Sequence, residues 1–216
     1  MGGTRRVVGA GTSGKLWAAA VLARRAGAGP VKIAAMVDGT PVPVSEVDAR
    51  EVRLRESRSA TSLPRPGTSE GRQLRRWLTQ LLVTERVVAA EAAARGLRAD
   101  GAPHEDDLLP DAAVRLEIGS VAAAVLSDPL ARALFVSVTD TIKVTADAVA
   151  DYRARNPDTT RRRFPDAESL AEHLLAAARR RAFRLWLDAR CATLVRLAPG
   201  YEHPGDPRQP DNTHRH

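Results

Sequence analysis

Apolar positions between residues 33 and 199 recur mostly at helical spacing. The longest uninterrupted pattern, Asp166 to Arg190, contains neither glycine nor proline. Within it Leu170, Leu174, Ala178, Ala182, Leu185 and Ala189 recur at three- and four-residue steps, which places one apolar stripe along a helix. Phe183, Trp186 and Leu187 add a second apolar face, so Ala182 to Leu187 is apolar nearly all round except at Arg184. A helix apolar on two sides must be covered from two sides, and this one is expected to act as a central rod. A second long pattern runs from Ser69 to Arg95 and stops at Gly96. Its stripe is Leu74, Trp77, Leu78, Leu81, Leu82 and Val88, and its length makes it the natural partner of the rod.

Shorter elements fill the remainder. Val31 to Val37 is β-rich, Asp38-Gly39 is a turn dipeptide, and Thr40 to Val44 returns as a second short strand. Ser45 is placed to cap a charged surface helix, with Asp48 three residues on. Ser57 to Gly67 reads as a loop, and Ser69 as the cap of the helix that follows. Arg98 to Pro110 is a polar loop, Asp111 to Leu126 a third long helix, and Asp128-Pro129 the start of another running through Phe135. Thr145 caps Ala146 to Arg155, which must end before Pro157; an Arg-rich loop then leads to the rod. Thr193 to Leu197 alternates enough to be a strand. The expected architecture is mainly α: one helical domain over 33–199 around a long C-terminal helix, with a small β element from short N- and C-terminal strands. Residues 1–32 are expected to be a flexible extension and 200–216 a polar tail.

Composition narrows the function classes. With 216 residues the chain has room for one ordinary domain, and with aromatics at 4% the core falls mainly to Ala, Leu and Val. Cys191 is the only cysteine, which rules out an internal disulfide or a cysteine metal cluster and leaves nothing that points to an oxidising compartment; the expected location is cytoplasmic. The net charge is +7, yet of the 33 basic residues only Lys15, Lys32 and Lys143 are lysine, a habit of composition. The dense clusters are Arg161–Arg163 and Arg179–Arg181. Three successive helix positions span most of a turn, so Arg179–Arg181 cannot all lie on one face, and a solvated surface or arginines paired with the 26 acidic residues account for the charge better than nucleic-acid binding does. The apolar run Trp17 to Ala23 is at the bottom of the length for an export signal and far too short to span a membrane.

Candidate chemistry is sparse. Gly9 to Gly14 fits G-x-G-x-x-G, and Gly9 to Lys15 fits G-x-x-x-x-G-K, but Leu16 stands where a magnesium-binding hydroxyl belongs and no run of βα units follows; no cofactor is expected. Gly67-Thr68-Ser69-Glu70-Gly71 fits G-x-S-x-G, the nucleophile elbow of α/β hydrolases, yet Leu63-Pro64-Arg65-Pro66 before it cannot be a central strand. Ser69, His173 and His203 are the catalytic candidates, each better explained as a cap, a packing residue and a tail residue. Glu202, His203, Asp206, Asp211, His214 and His216 carry metal-binding side chains, but so near a free end no metal is expected. The binding candidates are Trp77, Phe135, Tyr152, Phe183 and Trp186, which become ligand contacts wherever they line a groove, and Arg179, Arg180 and Arg181.

The order of these pieces resembles a known family. Val37-Asp38-Gly39-Thr40-Pro41-Val42, followed by a helix containing Glu46-Val47-Asp48, resembles the opening of SurA/PrsA-type peptidyl-prolyl isomerase chaperones. Leu81 to Leu97 is similar to that family's second long helix, Val144 to Pro157 to the segment before its inserted parvulin domain, and the rod with Thr193–Leu197 to the part after it. Between those segments only Asp158 to Phe164 remains here. The resemblance therefore implies a client-binding helical cradle without prolyl isomerase activity, its first and last strands paired, with Val42–Val44 or Ile33–Val37 beside Thr193–Leu197. Its partner would be an unfolded or apolar polypeptide segment. The outline is also similar to small actinobacterial proteins labelled malonyl-CoA:acyl-carrier-protein transacylases, found beside polyketide genes. That similarity implies an enzyme or accessory acting on acyl chains held by acyl-carrier protein, with arginines such as Arg179–Arg181 meeting the acidic carrier or its phosphopantetheine.

Overall fold

The computed structural model describes residues 31–57 and 60–206; the glycine-rich pattern of Gly9–Lys15, the apolar run Trp17–Ala23 and the histidines at 214 and 216 lie outside them. The chain begins as a hairpin, β1 (Ile33–Val37) and β2 (Thr40–Pro43), and continues into α1 (Val44–Arg55). After a 3-10 turn come α2 (Ser69–Ala94), α3 (Glu105–Leu108), α4 (Ala112–Ile118), α5 (Ser120–Val125) and α6 (Pro129–Thr139). The last part is α7 (Ala146–Arg155), α8 (Pro157–Arg163), the long α9 (Ala167–Leu194) and β3 (Val195–Leu197). The architecture is mostly helical, with one small antiparallel sheet made from both ends of the pattern. Sheet order is β2-β1-β3, so of the two pairings that the resemblance implies it is Ile33–Val37 that meets the last strand, in the register Ala35 to Leu197 and Val37 to Val195. Asp38 and Gly39, at φ 46° and 76°, form the left-handed two-residue turn between β1 and β2.

Burial is centred on α2 rather than on α9. Twelve residues of α2 are buried, among them Leu78, Leu81, Leu82, Val83, Val87, Val88 and Ala92. In the 28 residues of α9 only Leu170, Arg180, Phe183 and Leu187 are buried. Leu174 and Trp186 are half-buried, Ala189 is exposed and Leu185 is 58% exposed, so the stripe through Leu185 and Ala189 is not the packed one. The face carrying Phe183 and Leu187 is the one that α2 and α6 cover, and burying its bulky side chains removes more apolar surface than burying the alanines would. The largest apolar cluster joins Leu81 and Val88 of α2, Ile118, Ala122 and Val125 of α4 and α5, Leu134 and Phe135 of α6, and Phe183 and Leu187 of α9. Two smaller clusters seat the sheet and α1 on α2.

Several local expectations are corrected. α1 begins at Val44 after Pro43, with no side-chain cap, so Ser45 lies inside the first turn. The cap of α2 is Thr68, whose hydroxyl accepts the Gly71 amide at 3.0 Å, and Ser69 is the first helical residue. The predicted helix Asp111–Leu126 is two helices, because Gly119 takes φ 95°, a conformation closed to helical residues. The Arg-rich stretch after Pro157 is α8 rather than a loop: Pro157 occupies its first turn, and the buried Thr160 hydroxyl donates to the Asn156 carbonyl. The polar loop around His104 contains the single-turn α3, whose Glu105 accepts from Arg115 at 2.5 Å. The start of the tail is packed: Tyr201 is half-buried against Ala34, Val47, Leu78 and Leu82.

Many arginines are spent on internal pairing. Arg75 donates to Asp48 at 2.6 Å and Glu51 at 2.7 Å, Arg86 pairs with Glu46 at 2.6 Å, and Arg50 with Glu85 at 2.7 Å. The charged side of α1 is thus an ionic seam with α2. Burial works against the charge of Arg75, but Asp48, Tyr201 and Glu51 outweigh it and raise its pKa.

Candidate functional site

A groove of about 560 Å³ lies where α2, the α4–α5 break, α9 and β3 converge. Val83 and Thr84 come from one wall; Ile118, Val121 and Ala122 come from the second, around Gly119. Leu187 and Cys191 stand on α9, Val195 and Leu197 on β3, and Arg184, Asp188 and His203 supply charge or a titratable ring at its borders. The break at Gly119 matters here, since a continuous α4–α5 helix would carry Ile118 and Val121 past the groove rather than around its wall. β3 is an edge strand: among the described residues its one neighbour is β1. The bonds from Asp38 N–H to the Leu194 carbonyl and from Ala198 N–H to the Ala34 carbonyl fix Arg196 as the residue whose backbone faces β1. The Val195 carbonyl and both backbone groups of Leu197 therefore turn away from β1, while the Val195 amide donates to Cys191 at the end of α9.

Beside the groove is a smaller pocket of about 220 Å³ lined by Glu117, Ile118, Arg180, Arg181 and Arg184. The two share Ile118 and Arg184. Arg180 is only 5% exposed, yet its nearest partners are loose: the Leu108 carbonyl at 3.5 Å and a Glu117 carboxylate oxygen at 3.9 Å. Its buried Nε has no hydrogen-bond partner among the described residues. Arg184 reaches the Glu117 carbonyl at 3.3 Å and the Asp188 carboxylate at 3.9 Å. Arg179 is half-buried and Arg181 exposed, so the triplet divides over the helix, and Arg184 one turn on completes the cationic side with Arg180 and Arg181. The interruption of an apolar run by Arg184 was the sequence signal for it.

A second groove, about 710 Å³ and more open, runs between α7 and the first turns of α9, lined by Val144, Val149, Ala150, Ala154, Ala167 and Ala171 among others. None of the five candidate aromatic side chains lines either groove. Phe135 and Phe183 are buried with their rings 5.1 Å apart, and Trp186 stacks on Phe183 at 6.0 Å. The Trp77 indole donates to the Ser120 hydroxyl at 3.0 Å, and Tyr152 is half-buried on α7.

The catalytic candidates lie apart. Ser69 opens α2; the Glu70 amide, then the Thr68 and Ser69 side chains, hold the Glu70 carboxylate below its ordinary range. Its G-x-S-x-G setting has a structural cause, since a Cβ on Gly71 would sit 2.3 Å from the Arg65 carbonyl oxygen. His173 packs on Phe164 with ring centroids 4.8 Å apart, and burial first, then the charges of Arg163 and Arg180, push its pKa down. His203 reaches the groove, where its Nδ1 accepts the Gly205 amide at 3.0 Å. No hydrogen bond joins any two of Ser69, His173 and His203. Among the described residues no three of His, Cys, Asp and Glu stand together as a metal site, and no helix is long and apolar enough to cross a membrane.

Burial pushes the Cys191 thiol above its ordinary range; Asp188 adds to this, and contact with Thr84, 3.9 Å away, opposes it. Cys191 is expected to react with iodoacetamide at pH 7.5 several-fold more slowly than the same thiol in the urea-unfolded chain, as followed by mass spectrometry.

Residues 33–70, from β1 to the start of α2, are similar to a family described as "Family of unknown function (DUF7158)". No curated protein and no solved structure matches the chain.

Proposed function

We infer that this protein is a non-catalytic, chaperone-like binding protein whose helical cradle holds an apolar segment of a partner polypeptide. The observation that carries this reading is the groove walled by Val83, Ile118, Val121, Leu187, Val195 and Leu197. Water there meets the half-buried side chains of Val121, Val195 and Leu197, while Val83, Ile118 and Leu187 are buried beneath, and an apolar segment that displaces it is stabilised in proportion to the area covered. Among the described residues the Leu197 amide and the Val195 and Leu197 carbonyls of the β3 edge face away from β1; they match an extended peptide and have nothing to offer a hydrocarbon chain. The scattered positions of Ser69, His173 and His203 favour binding over turnover. A cytoplasmic setting fits a sequence whose single cysteine, Cys191, has no partner for an internal disulfide.

The acyl-carrier reading is favoured by a different observation, the cationic pocket of Arg180, Arg181 and Arg184. It places the anionic tether of an acyl chain there and the chain itself in the groove.

The test is suppression of aggregation of an unfolded client, followed by light scattering. The wild type and Ser69→Ala are expected to suppress it equally, and Val121→Asp, which charges the half-buried groove wall, to lose most of the effect while retaining helical circular dichroism. Cys191 supplies an independent reporter: a saturating apolar peptide is expected to slow its alkylation further. Full suppression by Val121→Asp together with an unchanged alkylation rate overturns the reading.

A further inference from the structure

Building on the groove as a peptide site, we propose that the Arg180–Arg181–Arg184 pocket binds the terminal carboxylate of the segment held there, so that the protein takes apolar C-terminal ends of polypeptides. The starting observation is the poor internal pairing of Arg180. A guanidinium almost wholly removed from water normally sits in short, paired hydrogen bonds, because an unpaired buried charge is costly. Here the contacts are 3.5 Å and 3.9 Å, and Nε has none among the described residues. The nearest carboxylate, Glu117, is itself more than half exposed and does not close on the guanidinium. Arg181 and Arg184 line the same small volume and add their positive charge to it. An anion entering it meets a planar fork already desolvated and held by the protein, the arrangement that gives carboxylates short bidentate bonds.

The pocket shares Ile118 and Arg184 with the apolar groove beside it, so one ligand can place its anion in the first and its apolar stem in the second. Length agrees. From Arg184 to Val195 the helix rises about 16 Å, the reach of about five residues of extended chain. A segment of that length places its last residue at the arginines and its earlier residues beside Val195 and Leu197. Backbone groups exposed on β3 favour a peptide, whose amides repeat at strand spacing, over a fatty acid, which has none, and over phosphopantetheine, whose amides do not repeat at that spacing.

The experiment uses an N-terminally fluorescent octapeptide with valine and threonine alternating through its last positions, as the free acid and as the C-terminal amide, titrated by anisotropy against the full chain. The free acid is expected to bind about ten-fold more tightly than the amide. That difference is expected to vanish in Arg184→Ala, whose side chain is half exposed and removable without disturbing the core. Glu117→Ala removes the internal competitor and is expected to tighten the acid while leaving the amide unchanged; a purely structural role for Glu117 would weaken both. Equal binding of acid and amide overturns the carboxylate assignment and leaves the groove reading standing, whereas no binding of either overturns both. Displacement of the peptide by phosphopantetheine at lower concentration than by unlabelled free-acid peptide overturns the choice of a polypeptide and transfers the site to a carrier-bound acyl chain.

Discussion

Replacing Phe183 with alanine is expected to remove about 3–5 kcal/mol of folding stability. Phe183 is fully buried, stands between Phe135 at 5.1 Å and Trp186 at 6.0 Å, and belongs to the cluster that joins α9 to α2, α4, α5 and α6. Its removal takes away the transfer energy of a phenyl ring and the edge and stacking contacts on both sides, and leaves a cavity that rigid helices fill poorly. A loss of that size is a fifth or more of the roughly 5–15 kcal/mol that holds a typical domain together. Leu185→Ala, on the neighbouring face and 58% exposed, is expected to change stability by about 0.5 kcal/mol or less. Equilibrium unfolding in urea separates the two. Similar losses for both would return Leu185 to the packed stripe and undo the account of α9 given above.

Glu91→Gln should cause the second-largest change, about 1–3 kcal/mol, and should also alter how the protein responds to acid. Glu91, 9% exposed on α2, accepts from Nε of Arg190 at 2.7 Å and from a second Arg190 nitrogen, and from Arg95 at 3.2 Å. Arg95 in turn lies over the Trp186 ring at 5.4 Å. The carboxylate therefore fastens the end of α2 to the last turns of α9. Removing its charge leaves two guanidiniums unbalanced, and solvent softens the loss because both arginine side chains keep more than a third of their surface in water. Burial alone would raise the Glu91 pKa; the hydrogen bonds and charges of Arg190 and Arg95 outweigh it and hold it below the ordinary 4.5. The folded state thus binds the proton less readily than the unfolded chain. The contribution is complete above pH 4.5 and is lost as the pH falls from there through the depressed value. In Glu91→Gln the stability curve below pH 5 should be flatter than in the wild type. An unchanged acid slope would mean that the pair adds nothing to the native state.

Elements fixed by local chemistry were legible in the sequence, and those decided by distant contacts were not. The Asp38-Gly39 hairpin, the Asp128-Pro129 and Thr145 helix starts, the Gly96 stop and the two long helices each rest on signals within a few residues. The choice of face on α9 was not of this kind: Leu185 and Leu187 are chemically alike, and only the position of α6 and α2 makes one of them core. Gly119 was visible as a glycine, but a lone glycine in a helical pattern is often tolerated, and its left-handed φ follows from how α4 and α5 wrap the groove. The Arg-rich run after Pro157 was misread as a loop because its helix is stabilised by Pro157 and Thr160 rather than by an apolar stripe. The groove was the least legible part. Val83, Ile118, Val121, Leu187 and Leu197 come from segments far apart in sequence, and each reads singly as an ordinary core residue. The arginines were the exception, because charge interrupting an apolar stretch is conspicuous in one dimension.

The placement of β1 between β2 and β3 has a consequence for synthesis. Its second neighbour is encoded about 160 residues downstream, so at about 5–20 residues per second a ribosome delivers that neighbour some 10–30 s after β1 itself has emerged. Throughout that interval the nascent chain leaves the backbone of Ala34, Met36 and Asp38 without its β3 partner. The hairpin can fold early, but the sheet can be sealed only after β3 has been made, and stalling anywhere before Val195 leaves the edge of β1 open to pairing with foreign strands.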